Sequence, residues 1–143
     1  MMTWGSNSPE NAAMAGFPAS CRVVATRVEG DDAFVLLNVG SAGQPYFYGV
    51  HCKRRDGRWC EGASGTGPGW SLSDEQSRLG TRSMWDEAPA GADMVRVGLN
   101  GQVLEEIVVD GAYLAVWFKQ PEPHGPGPRV VAFRIAGKWI EQP

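Results

Sequence analysis

Nucleophilic chemistry needs a hydroxyl or thiol held beside a base, and the chain offers few such pairs in a recognisable setting. Ser64 lies in a glycine-rich stretch, Cys52 and Cys60 are nearby thiols, and His51 and His124 are the only histidines. Ser64 lacks the Gly-x-Ser-x-Gly elbow that exposes a nucleophile. His124 sits among prolines and glycines, where a base would be poorly held. Paired carboxylates fare no better: Glu105-Glu106 and Asp31-Asp32 are adjacent, which on a strand sends them to opposite faces and in a turn exposes both. His51, Cys52 and Cys60, with Cys21 or His124 as a fourth, are ligand types that suit zinc. Their spacing matches no CxxC or HxxxH pattern, so no metal, no cofactor and no catalytic residue is assigned.

Residues 62–69 alternate glycine with small residues, and such a loop can turn backbone N–H groups toward an anion. The Lys-Ser/Thr ending of a phosphate loop is missing, as is any βαβ unit, so a flexible or bulged loop is the plainer reading. Six tryptophans are the most unusual count. Trp59, Trp117 and Trp139 are assigned to the core, where each can bury a large area. Trp70 and Trp85 flank the glycine-rich loop and can instead form an exposed aromatic patch. Lys53, Arg54, Arg55 and Arg58 crowd one hairpin tip, either as a solvated end or as a dock for an acidic surface. The candidate ligand- or partner-binding residues are Trp70, Trp85, Ser64, Thr66, His51 and Tyr48.

The elements that must position these residues are read mainly from turns. Ser8, Pro9 and Glu10, with Gly16 as the stop, mark a helix of one or two turns. Residues 21–28 and 33–39 read as a hairpin around a Glu-Gly-Asp-Asp cluster. A strand over 46–54 returns at Asp56-Gly57 through Trp59 and Cys60. With a two-residue loop, Arg55 faces Arg58, Cys52 faces Glu61, and Cys52 and Cys60 lie on opposite faces. With a three-residue loop and a bulge at Gly57, Cys52 faces Cys60 and His51 faces Glu61. Both registers are compatible with the sequence. Residues 62–70 read as a loop, followed by a short helix capped at Ser71 or Ser73 and ended by Gly80.

The later half reads as a meander of about five strands. Asn100-Gly101 joins 94–99 to 102–109 and sets Arg96 across from Glu105. Asp110-Gly111 leads into 112–119, a Pro/Gly connector spans 121–128, and 129–135 pairs with 138–141 around Ala136-Gly137. The expected fold is therefore all-β and mainly antiparallel, a two-sheet β-sandwich with one or two short helices. The alternative is an α+β cone-like or barrel-like curved sheet. One domain covers 1–143, with a first sheet region at 19–62, the glycine-rich loop and short helix at 63–80, and the meander at 81–142.

Composition narrows the function classes. A formal charge of −3 over 143 residues leaves no excess of Lys and Arg for a nucleic-acid surface. No apolar run approaches the ~18 residues of a membrane helix. Three cysteines, an odd number in a chain large enough to fold unaided, favour thiols and a reducing, cytoplasmic setting. A monomer or homodimer is expected, with no nucleic acid and no membrane as partner.

Three segments carry a resemblance: Tyr-Gly-Val-His-Cys-Lys-Arg-Arg-Asp-Gly-Arg-Trp at 48–59, Gly-Thr-Gly-Pro-Gly-Trp at 65–70 and Val-Asp-Gly-Ala-Tyr-Leu-Ala-Val-Trp at 109–117. Together, over about half the chain, they resemble an uncharacterised group of bacterial, mainly actinobacterial, β proteins. The resemblance implies a β fold and no particular activity. Two functional expectations follow from the residues themselves. The first is a nonenzymatic binding or protein-interaction module using Trp70, Trp85 and the loop. The second is a small-molecule pocket, or a hydrolase-like enzyme, with its site near the glycine-rich loop.

Overall fold

A computed structural model describes residues 5–41, 43–65 and 69–143. Among these residues one helix, α1 (Pro9–Met14), precedes eleven strands: β1 (Arg22–Glu29), β2 (Asp32–Asn38), β3 (Phe47–Arg55), β4 (Arg58–Gly65), β5 (Gly69–Asp74), β6 (Leu79–Glu87), β7 (Ala92–Leu99), β8 (Gln102–Ile107), β9 (Ala112–Gln120), β10 (Arg129–Ile135) and β11 (Lys138–Glu141). The all-β, antiparallel expectation holds. The strands divide among three open sheets, ordered β1-β2-β3-β4, β5-β6-β9 and β11-β10-β7-β8. No helix among the described residues is long and apolar enough to cross a membrane.

The layering follows from which strands are apolar on both faces. Residues 33–37 of β2 and 112–117 of β9 are buried without interruption, whereas β7 alternates between buried and half-buried positions. A continuous apolar run needs cover on both sides, and an alternating one needs cover on one. Thus Ala33, Val35 and Leu37 pack with Ala12 and Ala13 of α1, while Phe34 and Leu36 pack with Leu114 and Val116 of β9. The opposite face of β9, through Tyr113, Ala115 and Trp117, packs on Val95, Val97 and Phe133 of the third sheet. The order is helix, first sheet, middle sheet, third sheet.

That demand for two covered faces also corrects the meander. Asp110-Gly111 does reverse the chain, but β9 pairs with β6 and leaves the β7-β8 sheet. Arg27 of β1 ties the first sheet to the other two, forming an ion pair with Glu106 of β8 and donating to the Leu114 carbonyl of β9 at 3.4 Å. A partly exposed pair of this kind contributes about 1 kcal/mol at most.

Local signals explain the ends of the elements. The Ser8 hydroxyl accepts the Asn11 N–H at 3.1 Å, and Pro9 occupies the first turn. Six residues cannot hold a helix unaided, so α1 depends on burying Ala12 and Ala13 against the sheet. The β3-β4 hairpin takes the two-residue loop, pairing Arg55 with Arg58 and Cys52 with Glu61. Cys52 and Cys60 therefore lie on opposite faces, and all three cysteines are free. Of the three tryptophans assigned to the core, Trp59 and Trp117 are buried. Trp139 is half-buried at the surface, with the Arg96 guanidinium 3.8 Å from its ring centre.

Among the described residues of 63–80, strands and a turn stand where a loop and a helix are expected. β4 runs to Gly65, β5 begins at Gly69, and the segment capped in expectation by Ser71 or Ser73 is extended. Ser73 and Gln76 do not form a capping box. Instead the Asp74 carboxylate accepts the Gln76 N–H at 2.9 Å and closes a turn ending at Arg78, whose φ is +59°. Side-chain bonds to nearby backbone serve turns as readily as helix caps, and burial of the alternate hydroxyls decides for the strand.

Candidate functional site

β3 presents alternate residues to the middle sheet. Gly49 and His51 lie on that face, and Tyr48, Val50 and Cys52 lie on the face covered by α1. On β5 and β6 the same alternation carries hydroxyls inward: Ser71 pairs with Thr81, and Gly69 with Ser83. His51 meets this hydroxyl face across the gap between the first two sheets. Its Nδ1 is 2.7 Å from Ser71 Oγ, and its Nε2 is 3.0 Å from Asp32 Oδ1 on β2.

The tautomer follows from these partners. A carboxylate can only accept, so Nε2 carries the hydrogen and donates it to Asp32. The Nδ1 lone pair then accepts the Ser71 hydroxyl proton. Burial pushes the His51 pKa below its ordinary value, outweighing the Asp32 bond and charge, which raise it; Lys53 lowers it slightly. The imidazole, 2% exposed, is thus neutral at neutral pH, as a proton acceptor must be.

A cavity of about 110 Å³ opens beside this chain of bonds, walled by Phe34 and Trp85 on its apolar side and by His51, Ser64, Ser71 and Ser83 on its polar side. Its floor depends on Gly49, because a Cβ there would lie 2.6 Å from Trp85 Cη2 and 2.7 Å from Phe34 Cζ. Its rim is shaped by a bulge. Cys52 pairs with Glu61 and Val50 with Ser64, which leaves both Gly62 and Ala63 opposite His51. A second cavity, of about 290 Å³, lies beside Arg82 and Met84 under Pro123, Gly127 and Pro128, and Trp70 borders both.

Four sequence-selected residues, His51, Ser64, Trp70 and Trp85, therefore border one cavity. Trp85 is not part of an exposed patch: it is 6% exposed and packs on Phe34 at 5.5 Å between ring centres. Trp70 is half-buried, lies against Gly80 and donates its indole N–H to the Gln120 carbonyl at 3.1 Å. Tyr48 belongs to the other side of the first sheet, against Phe17. Thr66 lies outside the described residues.

The other nucleophile candidates are set apart. Burial, then the negative charge of Glu61, pushes the Cys52 thiol up to about 12, so it stays protonated, with Sγ 3.7 Å from the Pro9 carbonyl. His124 is exposed and bonded to the Glu122 carbonyl. Among the described residues there is no cluster of three or more metal-ligating side chains. At the basic hairpin tip, Arg54 is already engaged by Asp31 at 3.0 Å and lies over Trp59.

Sequence reading missed Asp32 and Ser71. Asp32 belongs to a cluster whose residue types suggest a turn, yet it is the first residue of β2 and two positions from Phe34 on the same face. The usable signal was the hydroxyl alternation, Ser71 and Ser73 before the turn and Thr81 and Ser83 after it. No protein-family model, curated protein or solved structure matches the chain.

Proposed function

We propose that the chain is a small-molecule-binding protein whose ligand enters the cavity between the first and middle sheets. The observation that carries this reading is the meeting of an aromatic wall, Phe34 and Trp85, with a hydrogen-bonding wall at Ser71 and His51 in one opening. Sites for small ligands combine apolar lining with a few placed polar groups in this way. Size restricts the occupant. About 110 Å³ is less than the cavity of about 150 Å³ that takes up benzene, so the enclosed part of the ligand has only a few non-hydrogen atoms. Its polar atom faces Ser71, its short alkyl part faces Trp85, and anything larger remains at the mouth beside Ala63 and Ser64.

A titration with short-chain amides and esters, followed by nuclear magnetic resonance, tests the reading. The expected result is saturable shifts at Gly49, Ser71, Ser83 and the Trp85 indole, with dissociation constants near a millimolar, about −4 kcal/mol. Ala63→Trp, placed at the exposed rim, should weaken those shifts without unfolding the protein. Shifts scattered over the surface, or the same affinity in Ala63→Trp, would remove the cavity from consideration.

A further inference from the structure

The cavity wall contains a serine bonded to a base, and the base is bonded to a carboxylate. We propose that Ser71 is a nucleophile, with His51 as its general base and Asp32 as the group that orients that base, acting on short-chain carboxylic esters. This rests on the small-molecule pocket proposed above and names its substrate class. Packing alone would ask only that the buried His51 be satisfied. It does not ask that the hydroxyl on Nδ1 open onto a cavity, nor that the bulge at Gly62-Ala63 lie opposite the base.

The roles are those of a serine-based acyl transfer, with the two ring nitrogens exchanged relative to the familiar triad. Ser71 Oγ forms a bond to the ester carbonyl carbon as its proton passes to His51 Nδ1. The Asp32 carboxylate, 3.0 Å from Nε2, stabilises the imidazolium so formed. The tetrahedral oxyanion then collapses, the bond from the carbonyl carbon to the alcohol oxygen breaks, and Nδ1 returns the proton to that oxygen. Water repeats the sequence on the acyl group: its proton goes to Nδ1, the carbonyl-to-Oγ bond breaks, and Ser71 recovers its hydrogen as the acid leaves. β4 and β5, each outermost in its sheet, border the cavity at Gly65 and Gly69, and an edge strand leaves backbone N–H groups unpaired, the kind of donor a developing oxyanion needs. The cavity volume suits an acetyl or propionyl group, with the alcohol portion at the mouth.

The full chain is treated with 4-nitrophenyl acetate while nitrophenolate release is followed, and the acetylated residue is located by mass spectrometry of peptides. A parallel titration with the unreactive N-methylacetamide reports binding alone. Acetylation is expected at Ser71, lost in Ser71→Ala, retained on the thiol in Ser71→Cys, and slowed at least about 100-fold in His51→Gln and Asp32→Asn. Circular dichroism on each variant identifies any that fails to fold. Cavity shifts with the amide but no acetyl on Ser71, or equal acetylation in the Asp32 and His51 variants that fold, would overturn the nucleophile while leaving the pocket standing. No shifts with the amide and no acetylation would overturn both.

Discussion

Gly49 and Gly65 stand opposite each other on β3 and β4, and their missing side chains have different surroundings. A Cβ on Gly49 would press into the rings of Trp85 and Phe34 at 2.6 and 2.7 Å, whereas one on Gly65 would meet nothing within 4 Å among the described residues. Gly49→Ala is therefore expected to cost about 1–3 kcal/mol through overpacking and to distort the cavity floor. Gly65→Ala should be neutral or stabilising by up to about 1 kcal/mol, since neither strain nor contact opposes the entropy gain. Urea denaturation of both variants checks the pair, and a Gly49→Ala protein as stable as the Gly65→Ala one would mean the rings yield to the added methyl.

The contrast shows where sequence stops being informative. Turns were legible because a two-residue loop such as Asn100-Gly101 fixes register from local chemistry alone, and Arg96 does face Glu105, with 2.7 Å between Nε and Oε1. Helix α1 was legible for the same reason, from Ser8 and Pro9. The strand residues at 62–65 and 69–74 were not, since glycine and serine there favour loops and caps locally while pairing with β3 and β6 holds them extended. Nor was the division into three sheets, which depends on the company β9 keeps on both faces. Asp32, His51 and Ser71 meet only because separate strands from two sheets converge, and no spacing rule within one segment encodes that.

His51 makes stability depend on pH in a defined window. Its folded pKa lies below the ordinary 6.5 of the unfolded chain, because burial outweighs the help of Asp32. Between the two values the unfolded chain binds a proton that the folded one refuses, so stability is full above 6.5 and falls as pH drops below it. Thermal midpoints measured between about pH 7.5 and about pH 5 should decline, and His51→Gln should flatten that decline. The exposed carboxylates Asp74 and Asp93 are also held below their usual range, by bonds from the Gln76 N–H and from Arg134. Their contribution is present above the unfolded carboxylate pKa and is lost as pH falls through the folded one, so it lies in a lower window. A midpoint independent of pH through the histidine range would show that His51 is protonated as easily in the fold as out of it.

Four two-residue turns share one backbone form, and one carries the wrong residue for it. Asp56, Asn100, Asp110 and Ala136 have φ between +51° and +52°, each followed by a glycine at +76° to +81°. Asn and Asp tolerate the left-handed region through local hydrogen bonding, whereas alanine is strained there by roughly 1 kcal/mol. Ala136 is exposed, so no packing holds it in place. Ala136→Asn is expected to stabilise the protein by about 0.5–1 kcal/mol, seen as a higher urea midpoint with an unchanged slope. An unchanged midpoint would mean the β10-β11 hairpin opens at no cost to the rest.

Thr26 offers a gain of a different origin. Its hydroxyl oxygen is buried with no hydrogen-bond partner among the described residues, on β1 directly across from the buried Val35. Valine keeps the β-branched shape a strand prefers and replaces the unpartnered oxygen by a methyl group. The hydroxyl's lost hydration is worth about 1–3 kcal/mol when nothing compensates it, and relaxation of the first sheet recovers part of that. Thr26→Val should therefore raise stability by about 1 kcal/mol, or roughly 3–5 °C in thermal midpoint for a chain of this size. Thr26→Ser keeps the oxygen and removes the methyl, so it should destabilise by about 1 kcal/mol through lost apolar burial. The two substitutions separate polarity from volume. If Thr26→Val destabilised while Thr26→Ser did not, the hydroxyl would have to be making a bond, and the first sheet would have to shift at β1 to provide it.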